Sequence, residues 1–251
     1  MKESINAVAY THIGYKRERN DDAFFINYTW KFFGVCDGIG GIKYGKKTAE
    51  LAADYFNGNV FEFEGEEKDL DLPPDQLLKK VIDRLDQLIG LKNYEWYVRY
   101  GCTLCGIWIV DKAHAFVFNL GDSRCYVYRK NEKVLEKLTE DHNMAEAILK
   151  KEKSAGDMEL RQARHILTKY IGNLYDNEPE IISIDYQMGD RFLICTDGLY
   201  SEVSEKELYN IMYNYEHKEI SKVGDLFIQR ALESGGNDNI TLVIIEIDTK
   251  E

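Results

Sequence analysis

The chain has 251 residues, 44% of them hydrophobic, with only three prolines; that suits one large domain with a substantial core, and no linker, fixed-period repeat or low-complexity tract divides it. Its 32 Lys and Arg against 44 Asp and Glu give a formal charge of −12, which argues against nucleic acid or an anionic membrane as the main partner and leaves carboxylates to spare for hard divalent cations. No apolar run approaches the ~20 residues that span a bilayer, the N-terminal segment lacks the apolar stretch of a signal peptide, and five cysteines, an odd number, suit reduced thiols in a cytoplasm.

In chain order, segments 5–11, 22–27 and 30–36 are rich in aromatic and β-branched residues and predict strands. A helix is expected over 44–57, with Ala49, Ala52, Ala53 and Phe56 on one face. The acidic segment 59–72 reads as a surface loop. Pro73-Pro74-Asp75 opens a long helix whose Leu77, Leu78, Val81, Ile82, Leu85, Leu88 and Ile89 recur at helical spacing. Strands follow over 102–110, 114–120, 124–129 and 133–138, with Gly121-Asp122 and Lys130-Asn131 as turns. Residues 143–165 are charged and read as helical or irregular. Strands return at 181–186 and 190–195 and helices at 204–214 and 219–233, with Gly235-Gly236 ending the second. ITLVIIEI, 240–247, closes the chain as a buried strand. This order is not a regular βαβ series. It predicts an α+β fold: two packed antiparallel β-sheets, a β-sandwich, flanked by α-helices on both outer faces.

Four aspartates share one local setting. Asp37 follows FFGVC, Asp197 follows FLICT, Asp122 follows FVFNLG and Asp238 precedes ITLVIIEI. Each stands at the end of a core strand beside Gly or Asn, a rigid mount with room for close approach. A further acidic pair, Asp21-Asp22, precedes AFFIN. Taken singly, an Asp-Gly step is a hairpin turn signal, Asp21-Asp22 is a solvated strand entry, and Arg17 is a surface arginine. Yet a helix is expected after both Asp37-Gly38 and Asp197-Gly198, which weakens the hairpin account. Mg²⁺ and Mn²⁺ take oxygen ligands and keep several waters. A few carboxylates from distant strands can hold two such ions ~3.5–4 Å apart, activate water and neutralise phosphoryl charge. Arg17 is the candidate to grip two phosphate oxygens.

The segments RERNDDAF (17–24), VCDGIGGIKYG (35–45), GCTL (101–104), NLGDSRCYVYR (119–129), LTEDHN (138–143), ILTKYIG (166–172), GDRFLICTDGLY (189–200) and GGNDNITLVII (235–245) occur in an order that resembles the metal-dependent protein phosphatase family, also called protein phosphatase 2C, and more closely its compact bacterial members. The resemblance runs from about residue 4 to 248 and treats 1–251 as one catalytic domain. It implies hydrolysis of phosphoserine and phosphothreonine in proteins by a hydroxide bridging two Mg or Mn ions, without a covalent phosphoenzyme. By motif position, Asp37 bridges both ions and the Gly38 carbonyl binds one of them. Asp197 and Asp238 ligate the other. Asp22, with Asp21, orients coordinated waters, Asp122 helps hold a third, weaker ion, and Arg17 binds phosphate. The implied partners are phosphoserine- and phosphothreonine-bearing proteins and a cognate serine/threonine kinase.

Three departures from the family pattern stand out. Asp21 replaces a frequent Glu, Ile39 takes the place of a His that serves as proposed general acid in many eukaryotic members, and the usual flap sequence is replaced at 143–163. The last two carry the alternative reading, a catalytically weak relative that binds phosphoprotein or a partner. Other signals are set aside. Gly40, Gly45 and Lys46 come close to a P-loop, but Lys47 stands where Ser or Thr is needed. Cys102 and Cys105 lie three apart in a strand, on opposite faces, and read as buried free thiols rather than a zinc half-site. His142 reads as structural and His165 as a surface histidine.

Overall fold

The computed structural model describes residues 2–39, 44–61, 72–96, 101–151, 156–173 and 177–250. In chain order these form β1 (Lys2–His12), β2 (Asp22–Asn27), β3 (Phe32–Ile39), α1 (Gly45–Asn57), α2 (Pro74–Trp96), β4 (Gly101–Cys102), β5 (Leu104–Ile109), β6 (His114–Leu120), β7 (Arg124–Arg129) and β8 (Val134–Lys137). Then come α3 (Met144–Lys151), α4 (Asp157–Ala163), β9 (Glu180–Asp185), β10 (Arg191–Cys195), α5 (Asp197–Tyr200), α6 (Glu205–Asn214), α7 (Ile220–Ser234) and β11 (Ile240–Lys250). One sheet has the order β1-β11-β10-β7-β8. The other has the order β2-β3-β5-β6-β9, with β4 paired to the end of β3. All these pairings are antiparallel.

The side-chain alternation of the strands builds three stacked apolar layers. Phe33, Val35, Cys105 and Ile107 of one sheet meet Cys125, Val127, Phe192, Ile194 and Val243 of the other, which makes the core between the sheets. The opposite faces carry Phe32, Cys36, Leu104 and Trp108 against Ala49, Ala52 and Phe56 of α1 and Leu78, Val81 and Leu85 of α2. On the far side Leu193, Cys195, Leu242 and Ile244 pack on Leu208 of α6 and Val223, Phe227 and Ala231 of α7. The sequence-based sandwich with helices on both outer faces is therefore the observed fold. Strands buried on both faces read as near-continuous apolar runs, which is why FFGVC, RFLIC and ITLVIIEI stood out.

Local differences from expectation have physical causes. The strand expected from 30 begins at Phe32, because Lys31 turns the chain with a φ of 57°. The strand expected over 102–110 is broken at Thr103, whose backbone and hydroxyl are both engaged by Asp37. The short helix α5 had no periodic signal at four residues. Most of the acidic loop at 59–72, Gly40 of the P-loop-like motif, and residues 152–155 of the 143–163 segment lie outside the described residues. All five cysteines are buried free thiols, and Cys102 and Cys105 do face different layers.

Phe56 ties α1 to the sheet below it. Its ring lies 4.7 Å from Phe25 and 5.4 Å from both Phe32 and Phe118, and it is fully buried. Phe56→Ala is expected to lower the unfolding free energy by about 3–5 kcal/mol, read from urea denaturation followed by far-UV circular dichroism. A loss under about 1 kcal/mol would show that α1 is not anchored through this ring.

Candidate metal centre

The acids collect at one end of the sandwich, where both sheets contribute. Asp22 and Asp37 are direct register partners across β2 and β3. The backbone of Asp37 is clamped from the side: its N–H donates to Thr103 Oγ1 at 2.9 Å, and Thr103 N–H donates to its carbonyl at 2.8 Å. Thr103 Oγ1 also lies 2.7 Å from Ser123 Oγ, which ties the Gly121-Asp122 turn to the same point.

From the other sheet, Thr196 immediately precedes α5, of which Asp197 is the first residue. Thr196 Oγ1 donates to Asp22 Oδ2 at 2.9 Å and accepts from Thr241 N–H at 3.0 Å, so one hydroxyl bridges the two sheets. Gly198 is pressed against the next loop: a Cβ there would stand 1.9 Å from the Asn239 carbonyl oxygen. That contact sets Asp197 beside Asp238. Asn239 then gathers the loop between β1 and β2. Its Nδ2 donates to the carbonyls of Ile13 at 2.8 Å and Arg19 at 2.9 Å, and its Oδ1 accepts from Asp21 N–H at 2.8 Å. The same loop delivers Arg17, whose Nη2 donates to Asp238 Oδ2 at 2.6 Å.

The remaining sequence-predicted residues fall around this group. The Asp21 carboxylate accepts from Arg19 Nε at 3.0 Å, while its backbone carbonyl accepts from Gly38 N–H at 3.2 Å. Gly38 itself has no room for a side chain, since a Cβ would lie 2.4 Å from Gly45. Asp122 is held through its carbonyl, which accepts from Tyr200 Oη at 2.8 Å. The Arg124 guanidinium lies 3.7 Å over the Tyr200 ring and forks onto Asp141 at 2.9 and 2.6 Å. His142 accepts from Gly121 N–H at 3.2 Å through Nδ1, and burial pushes it down to about 4, so it is a neutral structural acceptor. His165 is exposed, and its charge, when protonated, favours ionised Asp197.

Thr103, Ser123, Thr196, Tyr200, Arg124, Asp141 and Asn239 went unassigned in the sequence. Their signal was present in the quoted motifs as polar side chains set into apolar strand ends, where burial demands a partner.

The electrostatics show how closely the acids crowd. Burial pushes Asp22 up to about 7, aided by Asp197 and Asp238, although bonds from Thr241 and Thr196 oppose the rise. Burial and the Asp197 charge take Asp122 to about 8. Burial and Asp238 take Asp197 to about 6, with His165, Arg17 and a hydrogen bond to Asp37 pulling the other way. Asp37 is raised well above the carboxylate range by burial and by Asp22, Asp197, Asp122 and Asp238. These mutual influences place all five carboxylates within one field.

Among the described residues, no three His, Cys, Asp or Glu side chains already form a closed cage; Arg17 holds Asp238 instead. The donor set still fits Mg²⁺ or Mn²⁺, which need only a few carboxylate oxygens and retain water. Asp197 Oδ1 is buried without a hydrogen-bond partner, an orphan acceptor of the kind a cation satisfies.

Comparison with known proteins decides the family. The profile described as Protein phosphatase 2C matches residues 10–233. The chain belongs to the protein phosphatase 2C family. It is accordingly a phosphoprotein phosphatase. The serine/threonine phosphatase stp of Listeria monocytogenes is 30% identical over 221 residues, 85% of this chain and 83% of that protein. The serine/threonine phosphatase PstP/Ppp of Mycobacterium tuberculosis shares the fold with a TM-score of 0.82 at 21% identity, covering 98% of this chain and 99% of that one. The catalytic domain of PstP in complex with two manganese ions superposes with a TM-score of 0.79 at 21% identity, covering 99% of this chain and 100% of that one.

The raised carboxylates give this phosphatase a defined response to pH. Asp22, Asp122 and Asp197 titrate near 7, 8 and 6 in the folded protein, against 3.8 for a free carboxyl. Between about pH 4 and 8 the metal-free folded state binds more protons than the unfolded chain, so its stability falls as pH rises through that window. The Tm of chelator-treated protein is expected to be lower at about pH 8 than at about pH 5.5, and Mn²⁺ to raise Tm more at the higher pH, where it competes with fewer protons. A metal-free Tm that rises over the same interval would contradict this charge arrangement.

Proposed function

We propose that residues 1–251 act as one catalytic domain that hydrolyses phosphoserine and phosphothreonine in proteins with two Mg or Mn ions, without a covalent phosphoenzyme. The observation that carries the reading is the convergence of Asp37, Asp197 and Asp238 from both sheets on the guanidinium of Arg17. Asp37 and the Gly38 carbonyl would hold one ion, Asp37, Asp197 and Asp238 the other, and Asp122 a third, weaker one. When bound, the ions lower the pKa of coordinated water and neutralise charge on the phosphoryl group. Manganese in the PstP structure supports two such ions here.

The chain's own groups supply the rest. Arg17 is more than half exposed, so its guanidinium is open to a phosphate from solvent. Asp22, anchored by Thr196, would accept hydrogen bonds from water at the centre and keep its orientation. Asp21, held by Arg19, supports Gly38 through its backbone carbonyl, so its contribution is to the frame. At position 39 the side chain is Ile, and His142 is committed as an acceptor. The proton for the departing seryl or threonyl oxygen therefore comes from water or another group at the mouth of the site. The substrates would be phosphoproteins made by a cognate serine/threonine kinase in the cytoplasm; no described helix is long and apolar enough to cross a membrane.

Purified protein assayed on p-nitrophenyl phosphate and on a phosphothreonine peptide should turn over both with Mn²⁺ and neither with excess chelator. Asp37→Asn is expected to cut kcat at least ~10²-fold while raising the Tm of the metal-free protein near neutral pH, because burying this position among acids then no longer requires proton uptake. Full turnover by Asp37→Asn, or turnover indifferent to chelator, would overturn the assignment.

A further inference from the structure

Beside the acids, at the lip of the site, stands an aromatic ring that the hydrolytic chemistry does not use. Tyr15 is 66% exposed, more than Tyr28 at 54% or Tyr213 at 44%. Its place is nonetheless fixed. Its N–H donates to the Gly236 carbonyl at 2.7 Å. Its ring meets His12 edge-on at 6.3 Å between centroids. It also rests on Gly236, where a Cβ would lie 3.0 Å from Tyr15 Cδ2. Gly14, immediately before it, packs on the Asp238 carbonyl, and Arg17 follows two residues later. A rigid, exposed ring so near the phosphate-gripping arginine costs little entropy to bind against.

The charge around the ring selects what it binds. Gly235 lies against Glu202, with a Cβ position 3.2 Å from Glu202 Oε2, so a carboxylate flanks the Gly235-Gly236 seat of the ring. Glu202 Oε1 is steadied by Asn237 Nδ2 at 2.7 Å. An exposed aromatic ring and a carboxylate seated on adjacent glycines, on a chain of net charge −12, suit a cation.

We propose that Tyr15 is a specificity-determining residue whose ring takes an arginine or lysine side chain of the substrate near the phosphorylated residue, with Glu202 as counter-charge. This rests on the phosphatase reading above. It adds a preference for phosphoproteins with basic residues flanking the phosphoserine or phosphothreonine.

The test uses phosphothreonine peptides in which one Arg is moved through the flanking positions, each paired with a Gln control. Wild-type protein with Mn²⁺ should favour Arg over Gln at one position by about two- to fivefold in kcat/KM. Tyr15→Ala should bring that ratio to about one, chiefly through KM, Tyr15→Phe should keep it, and Glu202→Gln should reduce it. No Arg preference in wild type, a preference that survives Tyr15→Ala, or an equal fall in kcat on Arg and Gln peptides would each overturn the inference. Turnover of p-nitrophenyl phosphate by wild type reports the phosphatase reading separately. Should that fail, fluorescence anisotropy of the same labelled peptides still measures whether Tyr15→Ala abolishes the preference for Arg.

Discussion

Crowding of like charge in a dry place is the constraint on which the site depends. Asp22, Asp37, Asp122, Asp197 and Asp238 are each within the electrostatic field of others in the set. Left alone, buried carboxylates take up protons or push apart. Here the scaffold holds them together. Asp22 and Asp37 are fixed by strand register, Asp197 by the start of α5, and Asp238 by the contact between Gly198 and Asn239. Because two sheets supply the set, the distance between the sheets governs its geometry, and the apolar layer of Phe33, Ile107, Phe192 and Val243 becomes part of the functional design.

Local polar clamps turn that scaffold into a defined site. Thr196 spans the sheets with one hydroxyl, Thr103 locks Asp37 to the Ser123 turn, and Asn239 draws the loop bearing Arg17 onto Asp238. Each clamp satisfies buried backbone or carboxylate groups that would otherwise cost stability. The helix pair over 144–163 is tied to this frame by backbone bonds from Met144 to Ile166, Thr168 to His142 and His142 to Gly121. This segment is thus joined to the Asp122 turn by main chain.

Much of this was legible in the sequence because its cause is local. Strands buried on both faces advertise themselves as apolar runs, and an aspartate beside Gly or Asn at the end of such a run is conspicuous. Ala49, Ala52, Ala53 and Phe56 announced a helix face that does pack on the sheet. What escaped had causes that are not local. Thr103 breaks a strand because Asp37, far away in sequence, takes both its groups. Asn239 looks like any turn residue until three partners from the β1–β2 loop are seen around it. The bond between Arg17 and Asp238 joins the two ends of the chain, and neither end alone signals it.

The balance of charge at the centre points the same way as its donor chemistry. Arg17 and His165 bear on Asp197, and Arg124 bears on Asp122, but Arg124 is committed to Asp141 and stacked on Tyr200. Cations supplied by the chain therefore offset only part of five carboxylates, and protons take up the rest near neutral pH, at Asp37 and Asp122 and in part at Asp22. A proton on a buried carboxylate is a weak substitute for a divalent ion, because it serves one oxygen and leaves an orphan such as Asp197 Oδ1. Hard divalent cations satisfy several oxygens at once and exchange with protons as pH rises. On the proposed assignment, an ion held by Asp238 would compete with Arg17 for the same carboxylate and leave the guanidinium available to an anion. Charge repulsion among the acids, which destabilises the protein alone, would then favour loading of the site and release of Arg17 from Asp238.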